Sequence, residues 1–141
     1  MPYEFFAHTA DLGIRVVASG REELFAEAGR ALMNALVENV DAVQAVCQRE
    51  INLSGDRLDD LLYDWLSELL YLFDTQRVVF CRFDVSLTGD SMFHLKGKAW
   101  GEPLDRKRHV LHLEVKAITY HRLRVEPTAE GSWEAEIIAD L

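Results

Sequence analysis

Cysteine is scarce in this 141-residue chain: Cys47 and Cys81 are the two present, and no CxxC spacing joins them. A structural zinc site needs more sulfur ligands than that, so the pair reads as small buried hydrophobes in a reducing compartment. Basic residues are in deficit too: 15 Lys and Arg stand against 24 Asp and Glu, a formal net charge of −9. Such a surface repels phosphate backbones, which weighs against tight direct binding of nucleic acid and suits docking onto a basic partner. Long apolar runs are missing. The longest, residues 61–73, is interrupted by Asp64, Ser67 and Glu68, so no membrane span is expected. The opening MPYEFF has neither a basic n-region nor an apolar h-region, which predicts a cytoplasmic protein without a signal peptide. No G-x-S-x-G, P-loop or G-x-G-x-x-G motif occurs, and no nucleophile-plus-base arrangement can be assembled. Linkers, low-complexity tracts and charge blocks are also absent, so a single domain spanning residues 1–141 is expected.

What is present is an ordinary apolar fraction, 49%, enough for a globular core. Residues 12–18 alternate, with Leu12, Ile14, Val16 and Ala18 on one face, which predicts a strand. Ser19 is placed to cap a helix over residues 21–38, where Leu24, Phe25, Ala28, Ala31, Leu32, Ala35 and Leu36 recur at helical spacing. CQREINLSG reads as a second strand. A more apolar helix follows over about residues 57–74, with Asp59, Asp60, Asp64 and Glu68 on its outer side, a solvated face or a partner-docking one. From residue 77 the chain reads as β: RFDVSLTGD, MFHLKGKAW, the long run HVLHLEVKAITYHRLRVEP, and WEAEIIADL. Two early helices with mostly later strands predict an α+β fold, a mostly antiparallel sheet with two amphipathic helices packed on one face.

Period-2 alternation also sorts the carboxylates. Asp11 falls opposite the Leu12, Ile14, Val16 face. Glu114 falls opposite Leu111, Leu113 and Val115, and Asp140 opposite Trp133, Ala135 and Ile137. Three exposed acids among 24 would look like this; so would a converged site, and parity alone does not bring them together. Asp140 sits on an Ile- and Ala-rich strand tail beside the carboxylate of Leu141, which adds anionic oxygen where a frayed terminus would be polar. If the three converged, their repulsion would call for a hard cation such as calcium, magnesium or manganese. His8 is spaced to orient Asp11 or to be a structural histidine. His109, His112 and His121 do not share a parity, which argues against a three-histidine metal site. The basic stretch DRKRH, residues 105–109, is either a solvated loop or a phosphate contact.

FAHTADLGIRV, LDDLLYDWLSELLYLFDT, WGEPLDRKRHVLHLEVKAITYH and WEAEIIADL together resemble the archease family, over residues 3–141. The resemblance implies a small α+β module of strand–helix–strand–strand units. It implies a protein cofactor, not an enzyme: an activator of the RtcB-type RNA-splicing ligase, which uses GTP and a metal to join a 3′-phosphate or 2′,3′-cyclic phosphate end to a 5′-hydroxyl. The activator promotes ligase guanylylation and multiple turnover in tRNA splicing or RNA repair, so tRNA or other RNA is met only through the ligase. It also implies a divalent cation, calcium foremost, held by Asp11, Glu114, Asp140 and the main chain of Leu141. Nothing demands a dimer. A general chaperone-like or scaffold protein is the alternative, and a metal-dependent phosphoesterase a remote third.

Overall fold

The structure, a computed structural model, describes residues 2–8 and 11–141, the side chains of residues 7 and 8 apart. Strand β1 (Tyr3–His8) pairs antiparallel with β2 (Asp11–Ala18), and helix α1 (Arg21–Leu36) follows. After a 3-10 turn at Val40–Ala42 come β3 (Cys47–Gly55), helix α2 (Leu58–Gln76), β4 (Val78–Thr88) and β5 (Phe93–Pro103). Short strands β6 (Ala117–Ile118) and β7 (Arg124–Pro127) precede β8 (Trp133–Asp140). The strands divide into two sheets, one ordered β1-β2-β8-β6 with β7 also on β8, the other β3-β5-β4. Every named pairing is antiparallel, and the architecture is the expected α+β class.

The expected helical stripes form the core. Leu24, Phe25, Ala28, Ala31, Leu32, Ala35 and Leu36 of α1 are buried, as are Leu61, Leu62, Trp65, Leu66, Leu69, Leu72 and Phe73 of α2. The Trp65 indole N–H donates to the Phe25 carbonyl at 2.9 Å, tying the two helices through a buried polar contact. Helix α1 starts differently from expectation. Gly20 is its N-cap without a side-chain bond, and the Ser19 hydroxyl donates instead to the Glu23 carboxylate at 2.6 Å. Glu22 accepts from the Leu87 N–H at 2.8 Å, joining the helix start to β4.

The long run from His109 is not one strand, which corrects the sequence expectation. Residues 109–116 cross the end of α1, where the His112 and Leu113 N–H groups donate to the Leu36 and Ala35 carbonyls, both at 2.9 Å. The last carbonyls of a helix lack intrahelical partners, and this segment supplies them instead of joining the sheet. Only Ala117–Ile118 then enters the sheet, before a turn with Arg122 at φ 56° leads into β7. The N-terminal strand β1 had no clear signal of its own, because YEFFAH does not alternate. Its Phe6 lies opposite Gly13 and its ring fills the space a Cβ there would need, so glycine admits the close cover.

Candidate functional site

Strand β8 is the inner strand that assembles the candidate site. It runs between β2 on one side and β6 and β7 on the other, and Ala135 through Ala139 are all buried. Its antiparallel register with β2 sets Asp11 directly opposite Asp140, after Leu12 opposite Ala139. Directly opposed residues share a sheet face, with Cβ atoms about 4.5–5.5 Å apart, so two carboxylates meet at one end of the sheet. On the other side of β8, Ala117 stands opposite Asp140, and the Lys116 N–H donates to the Asp140 carbonyl at 2.7 Å. Leu141 packs against the hydrophobic core, which fixes the main chain next to Asp140. The tail is therefore ordered strand, as its apolar composition implied, with Asp140 exposed and Asp11 half-buried.

Glu114 takes a different place. It lies in the segment that crosses α1, outside any strand, so period 2 does not fix its direction. It is exposed and lines a cavity of about 440 Å³ with Phe73, Asp74, Arg77, Arg106 and His112. Burial pushes the Asp74 carboxyl up, and the charge of Glu114 pushes it the same way against the pull of Arg77. Among the described residues, no three His, Cys, Asp or Glu are gathered as for a metal ion. The fold thus brings Asp11 and Asp140 together and sets Glu114 beside Asp74. The chemistry of the paired donors, carboxylate oxygens with main-chain oxygen near at hand, fits a hard divalent cation. The orienting role considered for His8 lies outside the described side chains.

The other histidines are dispersed. His109 is buried: its Nδ1 accepts from the Asp105 N–H at 2.9 Å, so its Nε2 carries the proton and donates to Glu102 at 2.7 Å. Arg108 donates to the same carboxylate at 2.9 Å and to the Ala42 carbonyl at 3.2 Å. Glu102 is desolvated, which raises its pKa, but the bonds from Arg108 and His109 outweigh that and hold it below the ordinary value of 4.5. In DRKRH, Arg108 and His109 are thus committed to Glu102, and Arg106 and Lys107 are exposed. Sequence reading missed this network. The one signal was a glutamate beside Pro103, within reach of a basic run. His112 and His121 are exposed, apart from the buried His109.

Comparisons with known proteins agree with this fold. The Archease protein family matches residues 3–141. Among curated relatives, the protein archease of Methanopyrus kandleri is 41% identical over 142 residues, covering 100% of both chains. That of Pyrococcus furiosus is 39% identical over 140 residues, covering 99% of this chain and 98% of its own. The solution structure of Methanobacterium thermoautotrophicum protein 1598 superposes with a TM-score of 0.86 at 33% identity, covering 99% of each chain. The chain belongs to the archease family.

Proposed function

We propose that this protein is a metal-binding accessory factor that stimulates an RtcB-type GTP-dependent RNA ligase, promoting its guanylylation and repeated turnover, and is not itself the catalyst. The observation that carries the reading is the pairing of Asp11 with Asp140 across β2 and β8. Two like charges so placed repel each other, and a cation seated between them would relieve that repulsion. Calcium, or else magnesium or manganese, is the expected ion, with Asp11 and Asp140 as its paired carboxylates and Glu114 and the Leu141 main chain as further ligands. A bound divalent ion supplies positive charge for phosphate oxygens. The chain's own part is to hold the carboxylates on a rigid inner strand and to present an acidic surface, net charge −9, to a ligase pocket made basic for GTP and RNA ends. The two cysteines are free, as suits a reducing cytoplasm, and no described helix is long and apolar enough to cross a membrane.

Multiple-turnover ligation by an RtcB-type ligase, with and without this protein, tests the reading. Wild type is expected to sustain turnover, and Asp140→Ala to lose stimulation with its circular dichroism unchanged. Equal ligation with and without wild type refutes the proposal, and unfolding of the variant would make Asp140 structural.

A further inference from the structure

The outer side of α2 carries a stripe of acidic and aromatic side chains, of which Tyr63 also packs against the core. Asp60, Asp64, Ser67, Tyr71 and Asp74 follow one another three or four residues apart on one face of the helix, with Tyr63 beside Asp64. Tyr120, just beyond β6, stacks on Tyr63 with ring centroids 4.0 Å apart and planes 13° from parallel. Tyr120 is 59% exposed and Tyr71 58%, so two tyrosine rings stand in water, and Tyr71 lines a groove beside α2. That groove, about 220 Å³, has Tyr63, Ser67, Tyr71 and Asp74 on the helix side and Lys116 and Ile118 on the strand side.

We propose that this acidic and aromatic stripe is the docking surface for the arginine-presenting face of a basic protein partner. Charge complementarity chooses the occupant. Asp60 and Asp64 form a like-charge pair one helical turn apart, which weakens the helix. Arg57 pairs with Asp59 at 2.7 Å and reaches Asp60 only at 3.9 Å. Asp64, Glu68 and Asp74 form no salt bridge among the described residues. A guanidinium stacks on a tyrosine face and forks onto carboxylates at once, which matches this mixture better than an ammonium does. Phosphate backbones are repelled by it. A second copy of the chain would set the same acids against each other. The stripe also adjoins the candidate site, because α2 lies against β6 and Ala117 of β6 pairs with Asp140. A partner seated on α2 therefore reaches the Asp11–Asp140 edge.

The inference rests on the accessory-factor reading, with the ligase as the partner, and the test separates the two. Binding of the full chain to an RtcB-type ligase is measured by calorimetry at low and high salt, for wild type, Asp60→Asn with Asp64→Asn, and Tyr71→Ala with Tyr120→Ala. Each double variant is expected to bind about tenfold more weakly or worse, and the Asn pair to flatten the salt dependence. Saturating amounts of either variant should still stimulate ligation fully. Variants that bind as wild type does overturn the inference, as does a wild type that fails to bind the ligase, that dimerises through this face or that binds RNA through it. A complex that forms and is weakened by the variants, yet leaves turnover unchanged, supports the docking surface and removes the accessory role.

Discussion

Glu102 shows what a buried carboxylate demands. It is 3% exposed and stable only because Arg108 and His109 both donate to it, while His109, 2% exposed, is itself fixed by the Asp105 N–H. His109→Ala should cost about 2–4 kcal/mol in urea denaturation, since it opens a void and strips a buried carboxylate of a donor. The acid limb follows from the direction of the Glu102 shift. Its folded pKa lies below the ordinary 4.5, so its stabilisation is fully present above that value and is lost as pH falls through the lower folded pKa. Glu102→Gln should flatten this limb in acid titrations of stability; an unchanged limb would assign it elsewhere. The Asp11–Asp140 pair makes the opposite kind of prediction. Opposed like charges destabilise a sheet by up to about 1 kcal/mol, so Asp140→Asn should melt no lower than wild type without metal. Calcium should then raise the melting temperature of wild type much more than that of the variant, and equal shifts would place the ion elsewhere. Parity put both aspartates off the core face because each lies on a true strand, but which strands neighbour each other was not legible. Glu114 is exposed, as the same rule expected, but its segment is not a strand, so parity could not say which neighbours it meets.

Elements with their own hydrophobic period were read closely: β3 spans the expected CQREINLSG, and both helices end within two or three residues of expectation. Their burial is set locally, by spacing. What escaped was decided at a distance. The segment 109–116 has a strand's alternation, yet the unpartnered carbonyls at the end of α1 claim its N–H groups. Division into two sheets likewise depends on which edges α1 separates, since it touches both β2 and β4. Leu113→Pro would remove the donor to Ala35 and should destabilise by about 1–3 kcal/mol, with faster amide exchange in the last turn of α1. Exchange spread evenly over the protein would show that this segment does not hold the helix end.

The whole molecule carries its charge unevenly. On the outer face of the larger sheet the cations are spent: Arg15 lies within salt-bridge distance of Glu4, Glu134 and Glu136, and Arg124 of Glu126, Glu134 and Glu136. The net negative field therefore falls on α2, where Asp64, Glu68 and Asp74 form no salt bridge among the described residues. Encounter with a basic partner should be steered by that field, so the association rate in stopped-flow should fall steeply with ionic strength while dissociation changes little. Screening gives the prediction its spatial form. Glu4 sits on β1, the edge of the sheet remote from β6 and three strand spacings away, about 14 Å, beyond the roughly 10 Å Debye length at 0.1 M salt. Glu4→Gln should leave the salt slope of the association rate near wild type, whereas neutralising Asp60 and Asp64 should reduce it. Equal effects from the two changes would mean that total charge, and not its placement along α2, governs the encounter.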